Sequence, residues 1–163
     1  MKPRERWCRT RYVFEEGASY ETYLNSPELF NRIERESADV VIVILAGNSI
    51  KDYVTNQQIY DQAFKFYKRL RIIFPRAIFV SAEVEKRFYK LGNHWGCPVG
   101  LEYKRRRGAV NNFLKRFREK QHLLRIGGPK RLDNQDLYRD QVHLTDEGLE
   151  IIKHTVRYVI SNN

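Results

Sequence analysis

Apolar positions along this chain come in runs whose spacing shifts from continuous to helical and back. Residues 40–45, Val-Val-Ile-Val-Ile-Leu, are aliphatic without interruption, as expected of a parallel strand covered on both faces. Ala46-Gly47-Asn48-Ser49 follows as a turn. From residue 56 to 73 the apolar positions return at helical spacing, with Ile59, Ala63, Phe66 and Leu70 on one face, and Pro75 closes the run. Residues 77–81, Ala-Ile-Phe-Val-Ser, read as a second buried strand. Residues 109–120 read as a helix with Val110, Phe113, Leu114 and Phe117 inward, and residues 122–126 as a short third strand. Thr145 stands where an N-cap is needed for a last helix with Leu149, Ile152, Val156 and Val159 in one stripe.

Other segments are less regular. Residues 11–14 are β-prone and end at Glu15-Glu16-Gly17. Ser26-Pro27-Glu28 reads as an N-cap with proline at the first helical position, ahead of Leu29, Phe30 and Ile33. Residues 83–103, with Gly92, Gly96, Pro98 and Gly100, suggest a long loop after a short helix, and Gly127-Gly128-Pro129 opens a second loop running to His143. Strand and helix alternate three times, which predicts a layered α/β domain with a mainly parallel sheet. Neither a repeat nor a linker divides the chain, so one domain over residues 1–163 is expected, with residues 1–10 as a basic, disordered amino terminus.

Charge sharpens this picture. Thirty Lys and Arg against twenty Asp and Glu give a formal net charge of +10, which favours anionic partners: nucleic acid, an anionic surface or a negatively charged substrate. Lys104, Arg105, Arg106 and Arg107, with Lys115, Arg116, Arg118 and Lys120, form the densest basic region, and Tyr103, Phe113 and Phe117 interleave with it. Two readings follow, a phosphate-contacting surface or a solvated helix face whose aromatics point into the core. Cys8 and Cys97 are too few for a disulfide framework. His94-x-x-Cys97 lacks the second ligand pair of a structural zinc site, and no stretch has P-loop spacing. No metal or other cofactor is expected. The longest apolar run is too short to span a bilayer and the amino terminus does not read as a signal peptide; a cytoplasmic or nuclear location is the expectation.

Candidate chemistry gathers at three points. Asp140-Gln141-Val142-His143 precedes the last helix. A carboxylate three residues from an imidazole on a turn can accept the Nδ1 proton and leave Nε2 as a general base; equally, such a pair can simply tie down a helix-entry loop. Asn48, just past the strongest strand, is placed as an oxyanion donor or as an ordinary turn residue. Gly17 offers a backbone N–H without interference from a Cβ, or serves as a plain turn glycine.

Taken in order, Gly17, Ala46-Gly47-Asn48-Ser49 after an aliphatic strand, and Asp140-Gln141-Val142-His143-Leu144 before a helix resemble the conserved blocks of the SGNH (GDSL-like) hydrolase family. The resemblance covers residues from about 12 to 160. Its best local match is His143-Leu144-Thr145-Asp146-Glu147-Gly148-Leu149. More narrowly, the stretch resembles esterase-like modules of some animal retroelement proteins. The family resemblance implies a flavodoxin-like three-layer α/β/α fold and an ester or acyl substrate. It also implies His143 as base, Asp140 as its orienter, and Gly17 with Asn48 as oxyanion donors. Two departures qualify it. The family's Gly-x-Asn-Asp is here Ala46-Gly47-Asn48-Ser49, and residues 1–16 contain no serine, so the Ser-bearing block and the first, central strand that carries it are missing. The nucleophile is therefore unassigned; Ser19 and Ser49 are the nearby hydroxyls. The reading is an esterase-like domain, truncated or degenerate and weakly active or inactive. Its alternative is a non-catalytic basic module that binds nucleic acid or another anionic partner. Without the central strand, residues 11–14 should either pair with residues 40–45 or leave that strand an unpaired, buried edge.

Overall fold

The computed structural model describes residues 11, 13, 15–86, 100–117, 121–124, 135–137, 139 and 144–162. It is a mixed α/β structure. Among the described residues five α-helices and three strands follow in the order α1 (Tyr20–Leu24), α2 (Pro27–Glu34), β1 (Val40–Val43), α3 (Asn56–Ile73), β2 (Ile78–Ala82), α4 (Gly100–Arg116), β3 (Gln121–Leu124) and α5 (Asp146–Asn162). The strands lie side by side in the order β1-β2-β3, all parallel, with Val41 opposite Phe79 and Val80 opposite His122.

Side-chain alternation along the strands splits the apolar residues into two clusters. Val43 and Phe79 join the larger one, with Tyr20, Phe30, Ile59, Phe66, Leu70, Val110 and Leu114 from α1 to α4. Val80 and Ala82 join the smaller one, with Leu137 and Leu144, and Val40, Ile42, Ile78, Ile151, Ile152 and Val156 pack around it. Both faces of the sheet are thus covered, α5 lying against the face opposite α3 and α4. This is why β1 reads as an unbroken aliphatic run and β2 as a mostly apolar one without alternation.

Helix ends follow local chemistry. Ser19 caps α1 and Thr55 caps α3, each in a reciprocal box with the residue three positions on, and Ser26 caps α2 ahead of Pro27. The Thr145 hydroxyl accepts the Gly148 N–H at 3.2 Å, fixing the start of α5 as expected.

Three expectations change. α4 starts at Gly100, nine residues before the predicted start at 109, so residues 100–103 are helix and not loop. Residues 87–99 and 118–120 lie outside the described residues. Leu149 does not belong to the buried stripe of α5: it is 45% exposed, and Ile151 packs inward beside Ile152 and Val156. The Val159 side chain lies outside the described part. Finally, Arg11 and Val13 are not in a strand, and Tyr12 and Phe14 lie outside the described residues. Among the described residues β1 pairs with β2 alone, and Val40, Val41 and Ile42 are partly exposed. No helix of the described residues is long and apolar enough to cross a membrane.

Candidate functional site

The site is built where β1 leaves the sheet. Past Val43 the chain enters one turn of 3₁₀ helix at Ala46–Ser49, and this turn is bonded to the loop that leads into α1. The Asn48 side-chain amide donates to the Ala18 carbonyl at 3.1 Å. The Tyr20 N–H donates to the Ser49 hydroxyl at 3.2 Å. Ala18, Tyr20 and Ser49 are buried, while Asn48 is half-buried and Gly17 exposed. Gly17 takes a φ of +68°, a left-handed conformation that other residues adopt at a cost, in the turn closed by the Ala18 N–H on the Glu15 carbonyl. Two residues thirty-one positions apart in sequence, Gly17 and Asn48, are thereby brought to one place at the carboxyl end of β1. This is the location at which open parallel sheets bind ligands.

Asp140 and His143 lie outside the described residues, but the ends of their loop do not. Leu137 and Leu144 are buried beside Val80 and Ala82 in the smaller cluster. The Thr145 N–H donates to the Leu137 carbonyl at 2.7 Å, closing the loop at its base. Gly148 completes the closure: a Cβ there would meet Leu144 Cδ2 at 2.9 Å and the Leu137 carbonyl oxygen at 3.0 Å. Both anchors therefore sit against the carboxyl half of β2. Val43 is in register with Ser81, so this is the end of the sheet at which Asn48 lies. Leu137 as an anchor was not foreseen; an isolated leucine in a polar loop carries no periodic signal.

The hydroxyls near this site already have structural roles. Ser49 is 2% exposed and its oxygen accepts the Tyr20 N–H. The Ser19 oxygen accepts the Thr22 N–H at 3.3 Å and lies 3.1 Å from the Thr22 hydroxyl. Neither is presented as a nucleophile. Of the chain's other serines, Ser26 caps α2 and Ser81 is hydrogen-bonded to the Tyr67 hydroxyl. Ser37 precedes β1 at the opposite end of the sheet, and Ser161 lies in the last turn of α5.

The basic region divides by burial. Arg106 is not an anion ligand: it is 8% exposed and its guanidinium donates to the Lys51 carbonyl at 2.6 Å, to Asn56 Oδ1 at 2.9 Å and to the Val54 carbonyl. It holds α4 to the loop that opens α3. Arg107 is half-buried, whereas Lys104, Arg105, Lys115 and Arg116 are exposed. The interleaved aromatics belong to the core side. Tyr103 is buried and donates to the Glu85 carbonyl at 2.9 Å. Phe113 stacks on Tyr60 at 4.3 Å between ring centroids, and Phe117 packs against Phe64 and Tyr67. No family model matches the chain, and no curated protein matches it significantly.

Proposed function

We propose that this chain is an SGNH-hydrolase-like domain of flavodoxin-like α/β/α type, in which the oxyanion side of the pocket is retained and no serine of the chain serves as nucleophile. The observation that carries the reading is the Asn48–Ala18 hydrogen bond, which ties the Asn-bearing turn to the glycine-bearing loop at the carboxyl end of β1. Leu137 and Leu144, which flank Asp140 and His143 in sequence, are buried at the same end of the sheet, and this supports it. In this reading Asp140 orients the imidazole, His143 Nε2 is the base, and Asn48 with the Gly17 N–H stabilises negative charge developing on an ester carbonyl. Without a nucleophile, catalysis falls to the residual level that binding and oxyanion stabilisation provide, roughly 10³–10⁴-fold over water in the best-studied triads.

Fluorophosphonate labelling with peptide mass spectrometry, run beside hydrolysis of an activated acetate ester, tests this. The expected result is folded protein that takes no label. Any slow hydrolysis should fall in both Asn48→Ala and His143→Ala. A single serine labelled in the wild type and not in His143→Ala would overturn the missing nucleophile. Ester hydrolysis indifferent to both substitutions would overturn the site.

A further inference from the structure

The exposed face of α4 carries cations in a pattern that the hydrolase-like site does not use. Projected at about 100° per residue, Leu101, Lys104, Arg105, Gly108, Asn112, Lys115 and Arg116 fall within one arc of roughly 120°, and all seven are exposed. Glu102 borders the arc by one position and is also exposed. None of the four cations makes an ion pair with another described residue. They form two pairs eleven residues apart along a continuous helix, which is about 16 Å at 1.5 Å per residue.

The centre of the face is small and neutral, Gly108 and Asn112, and a Cβ at Gly108 would meet nothing within 4 Å. A long anionic chain could therefore lie close along the helix between the two pairs. Tyr103, Val110 and Leu114 are buried on the other side, and Phe113 and Phe117 are engaged with α3. Among the described residues the face thus has no aromatic platform for stacking bases. Its one apolar residue, Leu101, is too little for the wide apolar stripe an interfacial membrane helix requires.

We infer that this face of α4 binds the phosphodiester backbone of a nucleic acid, through Lys104, Arg105, Lys115 and Arg116 and without reading its sequence. Four cations on phosphates release counterions, so affinity should fall steeply with salt. The inference is independent of the hydrolase-like reading and uses none of its residues. Fluorescence anisotropy with a labelled single strand and a labelled duplex, each titrated across a salt series, tests it and distinguishes the two forms. The wild type should bind at low salt, scrambled sequences should bind alike, and the plot of log affinity against log salt should be steep. Replacing all four cations by alanine should reduce that slope by about 3, from roughly 0.7 per contact on a single strand to 0.9 on a duplex. The Lys104→Ala/Arg105→Ala and Lys115→Ala/Arg116→Ala variants should each remove about half of this. Thermal melting of every variant verifies the fold, and these exposed positions should leave it unchanged. Absence of oligonucleotide binding at low salt, an unaltered slope in the fourfold variant, or binding to phosphatidylserine vesicles with none to oligonucleotides would each overturn the inference.

Discussion

Arg106 directs its three guanidinium nitrogens at the segment that opens α3, meeting two backbone carbonyls and the Asn56 side chain. Its planar fork suits three acceptors at once, and a lysine ammonium cannot reproduce that geometry. Arg106→Ala would leave the buried Val54 carbonyl and the part-buried Lys51 carbonyl without this donor. We expect a loss of about 2–4 kcal/mol in urea unfolding, with Arg106→Lys recovering less than half of it. Equal stability of wild type and Arg106→Ala would mean that water replaces the side chain. Nothing in Lys104-Arg105-Arg106-Arg107 distinguishes the buried arginine from its neighbours, because adjacent residues of one type are separated only by the 100° turn of the helix and by what the helix packs against. Asn111 is similar: it accepts the Val84 N–H at 2.8 Å and is buried, a role its type does not announce.

At the scale of elements, legibility tracked how apolar the inward face is. α3 was readable from Ile59, Ala63, Phe66 and Leu70, which repeat at helical spacing, and the structure adds the Thr55–Gln58 capping box that fixes its first turn. The first turns of α4 were not, because Arg106 occupies a core-facing position and Gly100 and Gly108 weaken the helical pattern. α5 was readable at its cap and at Ile152 and Val156, but not at Leu149. Its packing is fixed by Leu137 and Leu144, and the glycine in its first turn exists for their close approach. Gly148→Ala raises helix propensity by about 1 kcal/mol, yet its Cβ would meet a backbone carbonyl oxygen at 3.0 Å. We expect net destabilisation of about 1–3 kcal/mol together with loosening of the loop that contains His143. Hydrogen exchange of the Thr145 N–H, bonded to the Leu137 carbonyl, checks this; unchanged protection would show that the loop yields without strain.

For the whole molecule, one aromatic cluster connects the elements. Tyr20 of α1 and Tyr67 of α3 are each 1% exposed, Phe66 packs against both, and the Tyr67 hydroxyl is bonded to Ser81 of β2. Burial raises the Tyr67 phenol to about 12, against the opposing effect of its bonds to Ser81 and Tyr20. Burial, reinforced by Tyr67, raises Tyr20 well above its usual value. Both folded pKa values exceed the unfolded value of 10.0, so the folded state holds these protons more tightly. The contribution is complete below pH 10 and is lost as pH rises toward 12 and above. The urea midpoint should therefore fall across that interval, and less steeply in Tyr67→Phe, which should itself cost about 1–3 kcal/mol by leaving the buried Ser81 hydroxyl without that partner. The same alkaline slope in both proteins would show that other groups control it. What the sequence determined by itself was local: the aliphatic strands, the capped helices, the parallel α/β class and the chemical types at Gly17 and Asn48, because hydrophobic period and capping depend only on near neighbours. Only the tertiary structure decided which arginine is buried, that Ser49 serves as a strut, and that Asn48 meets the loop of Gly17 and Ala18 at one end of the sheet. Those outcomes depend on contacts between residues some thirty to fifty positions apart, and no local pattern encodes which distant partner a side chain will meet.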